Sequence, residues 1–173
     1  MIGTEFNKLA ELVEGDLKKY DDKYHVGDSS FLHTATYILT YEYQNCHVTI
    51  KNSFGQDNIG NIEILLPIQS NNFKFEIKTK SILSQLWNRK KSPLEVFSSN
   101  TALVKWIEEN KAFEKLCERA KLDRFEPTII GVKTTEGFSI NCAYHLVFNN
   151  YELTLAPFSS FFNGLIDFIQ DAK

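Results

Sequence analysis

The sequence predicts an α+β fold, in which a curved, mainly antiparallel sheet of about seven strands is covered by N-terminal, central and C-terminal helices. Three observations lead to this class. Apolar and polar residues alternate over several short segments, which is typical of strands with one buried face. Polar turns separate these segments. The strands form a meander of four before a helical middle and a meander of three after it, which favours an antiparallel sheet.

Length and composition fit a single globular domain covering residues 1–173. The chain has 173 residues, of which 43% are hydrophobic, so it can bury a core without disulfides. Its net charge of −3 gives no attraction to nucleic acid or to an anionic membrane, and neither partner is expected. The three cysteines have no paired spacing, and the sequence shows neither a signal peptide nor a membrane-spanning apolar run. These features predict a cytoplasmic protein with free thiols.

The first element is predicted to be a helix that begins after Thr4 as its N-cap. Residues at helical spacing form its apolar side. They are Phe6, Leu9, Ala10, Val13 and Leu17. Asp21, Asp22 and residues 27–30 are then expected to form a loop.

A hairpin follows, with Gln44 and Asn45 as its turn. With this turn, every apolar side chain on one face meets an apolar partner, and a slip of one residue would break the match. The predicted pairs are Tyr43 with Cys46, Tyr41 with Val48, and Leu39 with Ile50.

Further hairpins are predicted by the same test of face-to-face matching. A turn at Ser70 and Asn71 would pair Ile68 with Phe73, Leu66 with Phe75, and Ile64 with Ile77. A three-residue loop of Thr135, Glu136 and Gly137 would pair Val132 with Ile140 and Ile130 with Cys142. A turn at Asn149 and Asn150 would pair Phe148 with Tyr151, Leu146 with Leu153, and Tyr144 with Leu155.

The middle of the chain has helical spacing in several places. Residues 81–88 fit a short helix. Residues 92–95 have the form of a capping box with proline at the first helical position, although Leu94, Val96 and Phe97 would equally suit a short strand. Residues 101–122 are predicted to be helical, with a division at residues 108–110.

Residues 159–171 predict a C-terminal helix whose apolar stripe is wider than one core-facing side requires. Either the helix lies between two layers, or part of the stripe binds another protein. The residues that would form such an interface are Phe161, Phe162, Leu165, Phe168 and Ile169.

Two thiol–imidazole neighbours are the first candidates for catalysis. Cys46 precedes His47, and Cys142 lies near His145. Side chains at odd offsets along a strand leave opposite faces, so neither thiol can exchange a proton with its histidine. The sequence therefore predicts no catalytic residue, no metal ligand set and no cofactor, and it leaves any cofactor-binding residue unassigned.

Each of these histidines has a glutamate across its predicted hairpin, with Glu42 opposite His47 and Glu152 diagonal to His145. Such a pair can orient an imidazole for acid–base chemistry, but on a solvated sheet face it is a surface ion pair. Whether the two histidines have a role is left open.

Two other features have ordinary explanations. The glycines at 55 and 60 fit a hairpin loop better than a nucleotide loop, because no helix follows. The basic run Arg89, Lys90 and Lys91, near Trp87 and with Lys74, Lys78 and Lys80 on a nearby strand, fits a solvated face or a protected sheet edge.

The leading functional hypothesis is a non-catalytic protein–protein interaction module, with homo-oligomerisation left open. The alternative is a small-molecule carrier or sensor with an aromatic-lined cavity, since 14 residues are Phe and 7 are Tyr. The cavity would be lined by Tyr37, Tyr41, Tyr43, Phe54, Phe73, Phe75, Phe138, Tyr144 and Phe148.

Overall fold

The computed structural model describes residues 2–25, 27, 30–55, 58–68, 74–80, 92–122, 125–146 and 152–172. These residues form four α-helices and eight β-strands. The helices are α1 (Ile2–Val13), α2 (Thr101–Glu109), α3 (Lys111–Leu122) and α4 (Glu152–Asp171). The strands are β1 (Asp16–His25), β2 (Phe31–Tyr43), β3 (Cys46–Phe54), β4 (Ile59–Leu66), β5 (Phe75–Thr79), β6 (Leu94–Ser98), β7 (Thr128–Lys133) and β8 (Phe138–His145).

The eight strands form one sheet in the order β1-β2-β3-β4-β8-β7-β5-β6. Every neighbouring pair is antiparallel. The predicted α+β class with a curved antiparallel sheet is therefore confirmed. The meander of four is β1 to β4, whereas the sequence had placed it one strand later.

The β2–β3 hairpin is confirmed in its predicted register, with Tyr41 opposite Val48 and Leu39 opposite Ile50. Gln44 and Asn45 form the turn with φ angles of 49° and 61°. Positive φ at both central residues matches the right-handed twist of the flanking strands.

Helix α1 begins at Ile2, three residues before the predicted start, so Thr4 lies inside it rather than capping it. It ends where Glu14 takes a φ of 52° and the Gly15 amide donates to the Ala10 carbonyl at 2.9 Å, as in a Schellman motif. A side chain on Gly15 would lie 2.9 Å from the carbonyl oxygen of Thr40. Glycine is thus required for the close approach of α1 to β2.

The loop predicted after the first helix is wrong, because Asp21 and Asp22 lie in strand β1. Leu17 also belongs to this strand rather than to the helix. All of its side chains except Leu17 are exposed. A strand with so little buried surface shows no apolar alternation, and the period of two is therefore missing from its sequence.

The pairing of β4 with β5 was predicted wrongly. Strand β4 lies between β3 and β8, and β5 lies between β6 and β7, so Leu66 is not opposite Phe75 and Ile64 is not opposite Ile77. Both strands bury the alternate residues that the sequence indicated. Alternation specifies which face is buried and does not specify the neighbouring strand. The predicted turn at Ser70 and Asn71 lies outside the described residues.

The β7–β8 hairpin forms with its register shifted by one residue from the prediction. Ile129 pairs with Cys142 and Gly131 with Ile140, because the loop has four residues rather than three. The Thr134 amide closes it by donating to the Gly137 carbonyl at 2.7 Å. The shift turns Ile130 outward, where 41% of its surface is exposed, and Ile129 inward.

The predicted final strand is replaced by the first turns of α4, which begins at Glu152 and contains Pro157. The pairs of Leu153 with Leu146 and Leu155 with Tyr144 are therefore wrong, and the turn at Asn149 and Asn150 lies outside the described residues. Leu155 is buried by the helix instead. Its apolar character fits either element, so the sequence alone could not decide between them.

The wide stripe of α4 is explained by layers on two sides. Phe158 contacts Tyr144 of the sheet, with ring centroids 5.0 Å apart. Phe161 contacts Phe113 of α3 at 5.6 Å. The helix thus lies between the sheet and α3.

The division of the central helix is confirmed at Asn110. Its backbone ends α2, and its side-chain oxygen accepts hydrogen bonds from the amides of Ala112 and Phe113, at the start of α3. Residues 94–98 form a strand, so the helical interpretation of residues 92–95 is wrong. The helix predicted over residues 81–88 lies outside the described residues.

The corrected β7 register predicts unequal effects for two adjacent isoleucines. Ile129→Ala should lower the free energy of unfolding by about 3 kcal/mol, because it leaves a cavity under the helices. Ile130→Ala, the matched control, should cost less than about 1 kcal/mol, because its side chain is already half in solvent. Chemical denaturation measures both. Equal losses, or a larger loss at Ile130, would contradict the register.

Candidate binding groove

A groove of about 580 Å³ opens where the C-terminal end of α1, the last residues of β2 and one side of α4 meet. Its position follows from the α1 C-terminal motif, which places Glu14 beside the end of β2. The lining residues are Leu12, Val13, Glu14, Tyr41, Glu42, Tyr43, Ala156, Ser159, Ser160, Asn163, Gly164 and Asp167.

Helix α4 presents two rows of side chains to the groove, each with a spacing of four residues, which keeps a row on one helical face. The first row is polar and consists of Ser159, Asn163 and Asp167. The second has small side chains and consists of Ala156, Ser160 and Gly164. The small row leaves the volume open, and the polar row provides hydrogen-bonding groups.

The hydroxyl of Tyr41 connects β2 to this polar row. It donates to Asn163 Oδ1 at 3.1 Å, and it lies 3.2 Å from Ser159 Oγ. Since the single phenolic proton goes to Asn163, the Ser159 hydroxyl donates to Tyr41. Burial raises the pKa of Tyr41, and the hydrogen bond with Ser159 offsets part of the rise. The phenol therefore stays neutral near pH 7.

Tyr43 makes the second connection, since its hydroxyl donates to Asp167 Oδ2 at 2.9 Å. The pKa of Tyr43 is raised, first by burial and then by its hydrogen bond to Asp167 and the negative charge of that carboxylate. One oxygen of Asp167 is held in this way, which fixes the position of the carboxylate at the groove wall.

The groove is electronegative. Glu14 and Asp167 contribute carboxylates, and in the described part of the chain no lysine, arginine or histidine lines the groove. The α1 C-terminus adds the partial negative charge of its carbonyl groups, and its last turn holds no basic residue. Glu42 contributes less, because its carboxylate bonds His47 Nδ1 at 2.7 Å on the other face of the sheet. The site therefore favours a cation.

A second groove, of about 480 Å³, lies along α3 and contains four glutamates. Lys121 is also in its lining, and the N-terminal end of α3 contributes partial positive charge. Cys117 lies there, with Sγ 3.1 Å from Ser92 Oγ. Burial raises the pKa of this thiol, partly offset by the hydrogen bond from Ser92. This groove is therefore also acidic, although, unlike the first one, it has a lysine among its described lining residues.

The two thiol–imidazole pairs are separated as the strand geometry predicts. Cys46 and Cys142 are buried, and His47 and His145 are exposed on the opposite face. Burial also raises the pKa of Cys142 strongly, which disfavours the reactive thiolate. Among the described residues, no three His, Cys, Asp or Glu side chains lie close enough together to hold a metal ion.

The pairing of Glu42 with His47 is confirmed, and both side chains are mostly exposed. The predicted position of Glu152, diagonal to His145 across a hairpin, is wrong, because the backbone begins α4 at Glu152 instead of continuing as a strand. An exposed cross-strand pair of this kind contributes little stability.

Of the aromatic residues expected to line a cavity, Tyr41 and Tyr43 line the groove, whereas the other described ones pack in the core. Tyr37 contacts Phe54 at 6.1 Å, and Phe75 contacts Phe138 at 6.3 Å, between ring centroids. Phe73, Phe148, Trp87 and the basic run at 89–91 lie outside the described residues. Lys78 is exposed and close to Glu76 on the same strand, which fits the solvated-face interpretation.

Four of the five C-terminal residues expected to bind a partner are buried in this chain's own core, so the interface predicted on them is wrong. Phe161, Phe162, Leu165 and Ile169 are at most 1% exposed, and Phe168 contacts Trp106 at 5.2 Å. The groove lies on another side of the same helix. Its signal in the sequence is the polar row of Ser159, Asn163 and Asp167, which was overlooked beside the apolar stripe.

Comparisons with known proteins identify no family. No protein-family model matches the chain, and no curated protein is similar to it. Among solved structures, the crystal structure of the mycobacterial trehalose monomycolate transport factor A, TtfA, is 13% identical over 95% of this chain and 94% of that chain, with a TM-score of 0.45. Function must therefore be argued from the residues of this chain. In the described part of the chain, no helix has the length and apolar character needed to span a bilayer.

The burial of the cysteines predicts an order of thiol reactivity. A native-state alkylation time course should label Cys117 first, because it lines an open groove, and Cys142 only after denaturant is added. Peptide mass mapping identifies the labelled residue at each time. Labelling of Cys142 at the rate of Cys117 in the folded protein would contradict the burial and reopen the question of thiol chemistry.

Proposed function

We propose that this chain is a non-catalytic cytoplasmic protein-interaction domain that binds a basic segment of a partner protein in the groove between α1, β2 and α4. The observation that supports this proposal is the charge of the groove. Two carboxylates and a helix C-terminus surround it, and none of its described lining residues is basic. A positively charged side chain entering the groove would be attracted electrostatically by the two carboxylates and by the helix C-terminus.

An apolar surface at the rim of the groove favours a polypeptide over a simple cation. Leu12 is 73% exposed there, and the half-buried Val13 is next to it. Together they offer contact to an apolar residue beside the basic one. An open groove that combines apolar and charged contacts is typical of sites for short chain segments.

The groove also favours binding over catalysis. Ser159 and Ser160 are the hydroxyl side chains of α4 within it, and no histidine or lysine lines it to accept their protons. Ser159 is already engaged with Tyr41. A serine without a neighbouring base is a weak nucleophile. The small-molecule carrier alternative has less support, because most of the described aromatic rings that would enclose a ligand pack in the core, and Tyr41 and Tyr43 alone among them line the groove.

Two substitutions remove the negative charges without disturbing the backbone. Asp167→Asn keeps an oxygen that can accept the Tyr43 hydrogen bond. Glu14→Asn removes a carboxylate at a position with a φ of 52°, where asparagine is well tolerated. Each variant should bind a short fluorescent peptide of alternating arginine and leucine roughly fivefold more weakly than the wild type, as expected for one exposed charge pair. Fluorescence anisotropy gives the dissociation constants.

Glu114→Gln in the second groove is the matched control and should bind as the wild type does. A peptide of alternating glutamate and leucine should not bind, and added salt should weaken the basic peptide. Equal binding of both peptides, or loss of affinity only in the Glu114 variant, would rule out this groove as the site. An apolar small molecule retained in native mass spectrometry would favour the carrier instead.

A further inference from the structure

The outer edge of β1 carries a charge pattern that is complementary to itself. The strand is ten residues long and forms one edge of the sheet, with no other strand of the described structure on its outer side. It contains neither proline nor a positive φ angle. Long, regular edges of this kind pair with other chains unless their side chains prevent it.

Lysine and aspartate are placed symmetrically about Tyr20. Lys18 and Lys19 precede it, and Asp21 and Asp22 follow it. When a second copy of β1 lies antiparallel with Tyr20 opposite Tyr20, Lys18 lies opposite Asp22 and Lys19 opposite Asp21. The twofold axis generates each pair twice, so all four charges of each copy find an opposite charge.

Other registers are disfavoured by the same charges. A twofold axis perpendicular to the sheet keeps side chains on their own face, so the centre of the pairing can move only from one residue to another. Moving the centre from Tyr20 to residue 19 places Lys19 opposite Lys19. Moving it to residue 21 places Asp21 opposite Asp21. Like charges directly opposite each other destabilise a pair of strands.

Exposed tyrosines add apolar contact in the same register. Tyr20 is 51% exposed and Tyr24 is 55% exposed, and both lie on the face of the sheet away from the helices. Tyr20 would meet its symmetry mate, and Tyr24 would lie opposite Asp16. Both phenols can keep their hydroxyls in water while the rings are covered.

In the single chain, both lysines form ion pairs within the strand. Lys19 Nζ lies 2.7 Å from Asp21 Oδ2, and Lys18 Nζ lies 3.3 Å from Asp16 Oδ2. All of these side chains are about half exposed or more, so these contacts are weak and exchangeable. They neutralise the free edge without blocking its backbone groups.

We propose that two copies of this chain associate through antiparallel pairing of β1 with β1, centred on Tyr20, to form one continuous sheet across the dimer. The partner at this edge is a second copy, because the complementarity of the four charges requires the same sequence on both strands. This surface is separate from the groove, so the proposal does not depend on the proposed function.

Charge reversal tests the register in the full chain. The double variant Lys18→Asp with Lys19→Asp makes all four pairs acidic, and Asp21→Lys with Asp22→Lys makes them all basic. Each double variant should dimerise at least about 30-fold more weakly than the wild type, since four attractive pairs become repulsive. Sedimentation velocity over a concentration series measures the dissociation constants, and circular dichroism shows that each variant is folded.

Two further experiments combine the acidic and basic substitutions and decide between the outcomes. Mixing the two double variants should produce a heterodimer, and combining all four substitutions in one chain should restore the homodimer. Lys105→Asp, on the exposed side of α2, is the control and should dimerise normally. Concentration-dependent protection of β1 amides in hydrogen exchange would locate the contact. A monomeric wild type, or a dimer indifferent to these substitutions, would overturn the proposal.

Discussion

The packing of α4 on the aromatic face of the sheet is the constraint on which the rest of this structure depends. Phe158 lies between Tyr144 of β8 and Phe125, with ring centroids 5.0 Å and 4.9 Å away. Tyr144 in turn donates to the buried Asn52 side chain at 2.6 Å. Because one side of α4 is fixed here and the other against α3, its polar row must face the end of β2. The groove is a consequence of this packing, since rotation of the helix would separate Asp167 from Tyr43.

The sequence predicted local features well and non-local ones poorly, for a physical reason. Facing residues in the β2–β3 hairpin are close in sequence, so matching Leu39 with Ile50 tested the register directly. The neighbours of β4 come from remote segments, and burial of Ile62 and Ile64 is satisfied equally by β5 or β8. The prediction that Cys46 and His47 leave opposite faces of the strand was correct, because side-chain alternation depends only on the backbone. The β7 register failed because loop length is decided by hydrogen bonds at Thr134 and Gly137, which composition does not reveal.

The candidate site was harder to predict than the fold. Its residues come from three elements that are far apart in sequence, and each is unremarkable alone. Glu14 in a left-handed conformation follows from the close approach of Gly15 to β2, which only the folded chain shows. The polar row on α4 was visible in the sequence. It can be recognised as part of a site only when Tyr41 and Tyr43 are known to face it, and that depends on where the helix lies on the sheet.

The groove and the β1 edge are linked through a short stretch of chain. Glu14 lines the groove, Gly15 allows the close approach to β2, and Asp16 begins the edge strand. In a dimer paired about Tyr20, Asp16 of one copy lies opposite Tyr24 of the other, so the two Asp16 residues would stand roughly 27 Å apart along the strands, and the two grooves lie beyond them at a larger separation. If the grooves bind basic segments as proposed, a partner with two such segments would bind both grooves of the dimer, and the second contact would form at a high effective concentration. Two weak, open sites could in this way give tight binding to a repetitive partner, whereas a monomer with the same groove would bind it only weakly.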